Sequence, residues 1–303
     1  KDGKIVLDDI SLREEDIKNI NKIYIVACGS AYHVGVVGKY VIEKMCRIPV
    51  EVQVASEFRY CDPIVGKDDL VIVISQSGET ADTKAALEEA KARGARVLSI
   101  VNVVGSAIAK ASDDVIYTWA GPEIAVATTK AYSTQLTVIY LIAAYMADKL
   151  GKISKEEYAD FIKEIESLPD KVAEILKSKE DVQYLASKFY NCHSIFFIGR
   201  NLDYAVSLEG SLKLKEISYI HSEAYAAGEL KHGTISLIED GTLVVALATG
   251  KNLFDKTVSN VKEVKARGAV VMGVTTEEHE HMDDVADYTV KIPATHEMLL
   301  PVS

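Results

Sequence analysis

The chain has 303 residues, 48% of them apolar, and a formal net charge of −11. This composition supports packed cores, and the length allows two domains of ordinary size. The negative net charge argues against a nucleic-acid-binding surface, which needs basic patches. Four scattered cysteines without a CxxC pair fit a reduced, cytoplasmic protein without a disulfide framework or a zinc site. No apolar stretch reaches membrane-spanning length.

The first half of the chain alternates apolar strands with helices. The predicted strands lie at residues 22–27, 49–54, 69–74, 96–101 and 115–119. The predicted helices are a short one near 12–20 and longer ones ending near 45, over 79–93 and over 130–150. Such alternation indicates a parallel α/β sandwich, and five strands without dinucleotide-binding glycines favour a flavodoxin-like strand order.

The second half repeats this pattern after a charged, helical segment at 152–190, which we expect to be interrupted at Pro169. The predicted strands here lie at residues 194–198, 242–247, 269–274 and 288–292, and the predicted helices at 202–217 and 252–267. The sequence EAKARGA at 89–95 matches EVKARGA at 263–269 at six of seven positions, which indicates a tandem duplication. We therefore predict two α/β domains, at 22–150 and 191–303, joined by connecting helices at 151–190, each with a parallel five-stranded sheet.

A hydroxyl-rich turn follows the third predicted strand. Ser75, Gln76, Ser77 and Thr80 lie between that strand and the amino end of a helix, where unpaired backbone N–H groups and the helix dipole favour an anion. Three hydroxyls can donate hydrogen bonds there, so the turn suits a phosphate monoester. The alternative is that Ser77 or Thr80 merely caps the helix. With one glycine and no lysine, the turn is neither a Walker-type nor a dinucleotide-binding loop.

The densest group of ionisable residues lies in the second half. Glu209, Lys213 and Glu216 are spaced i, i+4 and i+7, so they share one face of the predicted helix. They are either a catalytic group or a surface ion-pair ladder. His232 is a candidate general acid/base, although a lone loop histidine is more often structural. The histidines at 279 and 281 fit a solvated acidic turn better than a metal site.

Together these groups suit proton transfer on a phosphorylated sugar. Interconversion of a ketose and an aldose moves a proton between C1 and C2 and needs a carboxylate base. It also needs a proton donor for ring opening and a cation for the oxyanion. It requires no metal and no other cofactor, and we expect no nucleic-acid or membrane partner.

Several motifs resemble a known family. The sequence SQSGETADT at 75–83 resembles the phosphosugar signature of the sugar isomerase (SIS) family, and the run 208–223 with its continuation at 228–233 is more specific. With the segments 27–29, 55–60 and 121–131, it resembles the tandem SIS domains that form the isomerase half of the glucosamine-6-phosphate synthase family. The resemblance covers nearly the whole chain, from about residue 8.

The resemblance implies ketose–aldose isomerisation of fructose 6-phosphate, within the synthesis of glucosamine 6-phosphate from fructose 6-phosphate and glutamine. The residues that it implies for binding fructose 6-phosphate or glucose 6-phosphate are Ser75, Gln76, Ser77, Thr80, Ser30, Ala31, Val126 and Thr128. Glu216 would move the proton with the help of Lys213. His232 would open the sugar ring and complete the site of the neighbouring subunit, which implies a homodimer.

Some positions depart from the family pattern. Ser30-Ala31 replaces Thr-Ser or Thr-Ala, Thr128 replaces serine, and Thr234 replaces a proline that would fix φ. We expect residues 1–21 to be the lead-in from a preceding glutaminase domain. We also expect a C-terminal tail beyond residue 303, with a lysine that forms a Schiff base with the ketose. Without that tail, the chain is expected to be inactive in the full reaction.

Two alternatives remain open. One is a sugar-phosphate deglycase of the same SIS family. The other is a non-catalytic module that senses a phosphosugar, for which Glu216 and His232 would be dispensable.

Overall fold

The computed structural model describes residues 3–7 and 10–303, apart from the side chain of Glu280. These residues form two compact units, Lys1–Lys163 and Glu164–Ser303. The predicted domain boundaries at 22–150, 151–190 and 191–303 stay a prediction.

A parallel five-stranded sheet organises the first unit. Its strands are β1 Lys22–Ala27, β2 Val50–Val54, β3 Asp69–Ser75, β4 Arg96–Val101 and β5 Asp114–Tyr117. They pair in the order β2-β1-β3-β4-β5, which confirms the flavodoxin-like prediction. The central strand β3 is buried on both faces, as its run of Val and Ile predicts.

Helices connect these strands and cover the sheet. They are α1 Glu14–Lys18, α2 Ser30–Cys46, α3 Ala55–Phe58, α4 Ala81–Ala92, α5 Ala107–Ala111 and α6 Lys130–Lys149. The short helices α3 and α5 were not predicted. Each has five residues or fewer, which is too short for a helical period to show in the sequence.

Two further helices follow, α7 Lys155–Ile175 and α8 Lys179–Phe189. The predicted interruption at Pro169 is wrong, because α7 continues through this residue. Proline has no N–H to donate to the preceding turn. That loss removes one hydrogen bond from a helix of 21 residues whose apolar and polar residues are well separated.

The second unit contains a second parallel sheet. Its strands are β6 Ser194–Gly199, β7 His221–Ala226, β8 Leu243–Ala248, β9 Val270–Thr276 and β10 Tyr288–Ile292. They pair in the order β10-β9-β8-β6-β7, which is the order of the first sheet read from its other edge. The main helices here are α9 Leu202–Ser218 and α10 Phe254–Lys265.

The sequence predicts four strands in this half and does not indicate β7. Its sequence, HSEAYA, lacks a run of apolar residues, and only Ser222 in it is fully buried. It lies at the edge of the sheet and pairs with β6 alone. An edge strand needs less apolar surface than a central one, so the signal that revealed β3 is absent here.

The duplication extends to individual hydrogen bonds. Lys91 Nζ lies 2.7 Å from Asp113 Oδ1, and Lys265 Nζ lies 2.6 Å from Asp287 Oδ1. The second carboxylate oxygen of each aspartate accepts a bond of 2.8 Å from the backbone N–H of Val97 or Val271. The repeated EAKARGA-like segment therefore keeps the same strand-anchoring ion pair in both copies.

Ser11, which precedes α1, is fixed to the first sheet by a buried aspartate. Asp114 accepts hydrogen bonds from Ser11 N (2.5 Å) and Ser11 Oγ (2.9 Å), and from Arg96 Nε at 2.7 Å. Burial pushes the pKa of Asp114 upward, but the bonds from Arg96 and Ser11 outweigh burial and lower this pKa below its usual value. We call this group the Asp114 anchor.

No helix within the described ranges combines the length and the apolar character that a membrane crossing requires.

Candidate functional site

The turn after β3 is held by its own hydroxyl groups. We call residues 75–80 the Ser75 loop. Ser75 Oγ accepts a hydrogen bond of 3.0 Å from Gly78 N. The same oxygen lies 3.0 Å from Thr80 Oγ1. Ser77 Oγ accepts from Glu79 N at 3.1 Å. Ser75 is buried, Gln76 and Thr80 are half-buried, and Ser77 is exposed. The four predicted binding residues thus surround one short turn.

The amino end of α4 has no side-chain cap within the part of the chain that the structure describes. Thr80 is the residue before the helix, but its hydroxyl makes no capping bond. Ser77 bonds Glu79 N, which precedes the helix. The capping alternative is therefore wrong for both residues. An uncapped helix end directs partial positive charge at the Ser75 loop.

Two buried polar atoms beside this loop have no hydrogen-bond partner among the described residues. They are Gln76 Oε1 and Ser106 Oγ. Ser106 precedes α5 and approaches Gly78 so closely that a Cβ built on Gly78 would lie 2.0 Å from Ser106 Oγ. An unpaired buried polar atom costs about 1–3 kcal/mol, and a bound ligand can recover this energy. The Ser106 hydroxyl, and the Gln76 amide after a flip, can donate to a phosphate oxygen.

Asn102 supports this edge of the sheet and was not identified from the sequence. Its backbone N donates to Gln76 O at 3.2 Å, and its Oδ1 accepts from Thr118 Oγ1 at 2.9 Å. Its Nδ2 donates to Gly121 O at 2.7 Å. Asn102 therefore links the Ser75 loop to the segment that follows β5. A polar residue directly after an apolar strand is the signal that could have found it.

Ser30 and Ala31 begin α2, and both are half-buried. The residue before them, Gly29, has φ +56°. This conformation suits glycine and allows the chain to turn sharply from β1 into α2.

The segment 121–129 carries the other two predicted binding residues. Val126 is 93% exposed. Thr128 Oγ1 donates to Glu123 Oε2 at 3.0 Å, so its hydroxyl is engaged within the segment. Desolvation pushes the pKa of Glu123 upward, but hydrogen bonds from Thr128 and the backbone of Ala131 lower it overall. Glu123 thereby holds the segment against the first turn of α6.

The three ionisable residues of α9 form one connected group. Lys213 Nζ lies 2.5 Å from Glu216 Oε2 and 3.5 Å from Glu209 Oε1. The exposed fractions of the side chains are 19% for Lys213, 27% for Glu216 and 8% for Glu209. These fractions contradict an ordinary surface ladder. A lysine held between two carboxylates fixes the position of Glu216 and keeps a positive charge beside it.

His232 is exposed at the end of a 3₁₀ turn, Leu230–His232. Its backbone N donates to Glu229 O at 2.9 Å. Thr234 stands where the family pattern has proline, and its Oγ1 donates to Leu230 O at 3.3 Å. This bond restrains the turn by a different means from a proline ring.

No group of three or more His, Cys, Asp or Glu side chains in the described ranges is placed to hold a metal ion.

A family model for the SIS domain matches residues 16–145 and 188–302. This chain belongs to the SIS domain family. The resemblance inferred from the sequence is therefore confirmed, and the two sheets are two tandem SIS domains.

Relatives with high identity cover nearly all of this SIS chain. It is 59% identical over 298 residues to glutamine–fructose-6-phosphate aminotransferase (isomerizing) of Clostridium acetobutylicum, covering 98% of this chain and 49% of that protein. The protein of the same name from Caldanaerobacter subterraneus subsp. tengcongensis is 60% identical over 301 residues, covering 99% of this chain and 50% of the relative. The chain thus spans about half the length of the curated relatives that it matches.

A solved structure shows the same two-domain SIS fold. It is the C-terminal domain of glucosamine-fructose-6-phosphate aminotransferase from Francisella tularensis, with a TM-score of 0.95 and 37% identity. The match covers 100% of this chain and 85% of that one.

Proposed function

We propose that this SIS chain binds a hexose 6-phosphate and isomerises fructose 6-phosphate, as the isomerase half of an enzyme that makes glucosamine 6-phosphate from fructose 6-phosphate and glutamine. The observation that carries the proposal is the Ser75 loop, with its uncapped helix end and the unpaired buried atoms of Gln76 and Ser106 beside it. The names of the relatives support this choice of substrate.

The Ser75 loop binds the phosphate in this proposal. Ser75, Ser77 and Thr80 supply hydroxyl donors, Gln76 supplies its amide, and the amino end of α4 adds partial positive charge. Ser30, Ala31, Val126 and Thr128 line the sugar. Because the phosphate does not react, these contacts position C1 and C2 rather than activate them.

Glu216 is the base that moves the proton. Its carboxylate takes the proton from C1 of the open-chain ketose, and the C–H electron pair forms the C1=C2 bond of an enediol as the C2 carbonyl oxygen gains a proton. The proton then returns from Glu216 to C2 as the C1 hydroxyl loses its proton, which balances the proton gained by the C2 oxygen, and the aldose forms. Lys213 Nζ, 2.5 Å from Glu216 Oε2, orients the base and stabilises the negative charge that develops on the C2 oxygen of the sugar. These steps need neither a metal nor a redox cofactor.

His232 opens the sugar ring in the site of a neighbouring subunit. Its exposure supports this role, because a side chain in solvent can enter a partner's site. Exposed Ile217, Tyr219 and Leu237 in the same unit support a homodimer, since such residues are usually covered at an interface. A cytoplasmic location remains a prediction from the reduced cysteines.

The test separates binding from turnover in the full natural protein. Glu216→Gln keeps the shape of the side chain and removes the base. We expect kcat for interconversion of fructose 6-phosphate and glucose 6-phosphate to fall by about 10²–10⁴-fold, with the sugar-phosphate Kd changed less than about threefold. The matched control is Glu180→Gln on the exposed face of α8, which should leave both values unchanged.

Each other outcome has a definite meaning. Full turnover in Glu216→Gln would contradict the catalytic role and favour a phosphosugar sensor. Absence of sugar-phosphate binding in the unaltered protein would contradict the whole proposal. Cleavage of a sugar phosphate–amine adduct at a rate above the isomerisation of fructose 6-phosphate would favour the deglycase.

A further inference from the structure

The Ser75 loop has a counterpart in the second SIS domain. β3 and β8 hold the same place in their sheets, between β1 and β4 in one and between β6 and β9 in the other. Each strand is followed by five residues and then by α4 or α10. Residues 76–80 therefore correspond to residues 249–253, which we call the Thr249 loop.

The helices α2 and α9 correspond in the same way. Both have 17 residues, and both follow a residue with φ +56°, Gly29 in one and Asn201 in the other. Both end before a residue in the left-handed conformation. The second residue of α2 is Ala31 and the second residue of α9 is Asp203, so these two residues hold equivalent positions.

A carboxylate occupies the Thr249 loop. Asp203 Oδ2 accepts hydrogen bonds from Thr249 N at 3.0 Å and from Gly250 N at 3.5 Å. Its Oδ1 accepts from the Thr249 hydroxyl. Asp203 is only 5% exposed, and burial raises its pKa although these bonds oppose the shift. Backbone N–H groups and a hydroxyl after a buried strand are the donors that such loops offer to a phosphate.

The space around this carboxylate is closed. The cavity at Asp203, Thr249 and Gly250 measures only about 10 Å³, which is at most the volume that one water molecule needs. Leu253, Glu297 and Leu300 are among the residues that complete the lining of this cavity. A sugar phosphate has no room at this loop.

The first domain differs at the decisive position. Ala31 has a methyl group where Asp203 has a carboxylate, so this position of α2 carries no charge. Gln76 is the counterpart of Thr249, and its side-chain oxygen is buried without a partner among the described residues. The domain without a carboxylate at this position of its helix is therefore also the one with unpaired polar atoms beside the loop.

We propose that Asp203 is a built-in anion that closes the second SIS domain to phosphosugars, whereas Ala31 leaves the first domain open. One chain then binds one phosphosugar, through the Ser75 loop. The second domain instead carries α9 with its ionisable residues Glu209, Lys213 and Glu216. This inference rests on the proposed role of the Ser75 loop as the phosphate site.

The first arm of the test removes the internal anion. We compare Asp203→Ala with the unaltered protein and with Asp203→Asn, which keeps an acceptor oxygen and nearly the same volume. Inorganic phosphate is the probe, and its binding stoichiometry and its effect on Tm are measured. We expect Asp203→Ala to bind one more phosphate per chain than the other two proteins, and its Tm to rise more steeply with phosphate. Equal stoichiometry and equal Tm shifts in all three would overturn the inference.

The second arm introduces the anion into the first domain. We expect Ala31→Asp to weaken binding of fructose 6-phosphate at least about tenfold relative to Ala31→Asn, because the added carboxylate repels the phosphate and occupies its donors. Equal affinities in these two variants would overturn the inference. This arm decides the matter if Asp203→Ala does not fold at any phosphate concentration.

The two proposals can fail separately. If the unaltered protein does not bind fructose 6-phosphate, the proposed function fails. The role of Asp203 is judged separately: binding of one more phosphate per chain by Asp203→Ala supports it, and equal stoichiometry overturns it.

Discussion

Gly78 shows how a single residue determines the shape of the Ser75 loop. Its φ is +67°, a conformation that glycine adopts without strain. Its missing side chain also lets Ser106 approach, since an added Cβ would lie 2.5 Å from Ser106 Cβ and even nearer to its hydroxyl. Both atoms are buried, so neither can move away easily. The close approach places the Ser106 hydroxyl beside the proposed phosphate site.

We expect Gly78→Ala to destabilise the first unit and to weaken fructose 6-phosphate binding at least about tenfold, because overpacking displaces the loop. Gly151→Ala is the matched control, since Gly151 also has positive φ, +63°, but has open space around it. Gly151→Ala should lower the free energy of unfolding by about 1 kcal/mol, and Gly78→Ala should lower it by about 1–3 kcal/mol more. Urea unfolding followed by Trp119 fluorescence measures this cost. Equal costs for the two variants would contradict the close approach.

At the scale of elements, the Asp114 anchor ties Ser11 and α1 to the amino end of β5. Its carboxylate joins the backbone of Ser11 to the guanidinium of Arg96, and Arg96 Nη1 also lies 3.3 Å from Asp16 Oδ2 in α1. The Asp114 side chain is 1% exposed and the Arg96 side chain 27% exposed, so solvent screens this pair less than a surface pair. The anchor therefore holds Ser11 and α1 at the amino end of β5.

The lowered pKa of Asp114 predicts a pH-dependent stability. A carboxyl whose folded-state pKa lies below its unfolded value, about 3.9, stabilises the fold fully above that value. This stability is lost as the pH falls through the folded-state pKa. We expect Asp114→Asn to lower the free energy of unfolding by about 2 kcal/mol at pH 7, and the difference from the unaltered protein to shrink below about pH 4.

Urea unfolding of both proteins across this pH range measures the difference. Asp160→Asn is the control, because Asp160 is exposed and its ion pair with Lys163 lies on the surface. It should change the free energy of unfolding by less than about 0.5 kcal/mol at pH 7. A loss in Asp114→Asn that is the same at pH 7 and pH 3 would exclude the ionised anchor.

At the scale of the whole molecule, the duplicated SIS domains have taken different parts in the proposed reaction. The first keeps the open Ser75 loop, and the second carries Glu216, Lys213 and His232. Identical ion pairs at Asp113 and Asp287 show that the scaffold was retained while the two loops diverged. A proposed homodimer adds a further level, since His232 of one subunit would serve the site of the next.

Mixed dimers test this arrangement. Glu216→Gln and His232→Ala subunits are each expected to be inactive alone. If His232 acts in the neighbouring site, random mixing should restore about a quarter of the active sites, because half of the dimers are mixed and each of these has one intact site. Activity after co-expression, with subunit exchange confirmed by mass, measures this fraction. No recovery in exchanged dimers would show that His232 acts within its own subunit.

The sequence alone determined the class of fold, the strand order of the first sheet, the SIS family and the duplication. These conclusions depend on patterns within about ten residues, such as the apolar run of β3, the turn after it and the repeated segment at 89–95. Only the tertiary structure shows the contacts between residues that are far apart in the chain. Asp203 and Thr249 are 46 residues apart in the chain, and Ser11 and Asp114 are 103 residues apart. Such pairs meet only in the folded chain, so no local pattern indicates Asp203 or Ser106. The edge strand β7 is hidden for a different reason, since it lacks an apolar run.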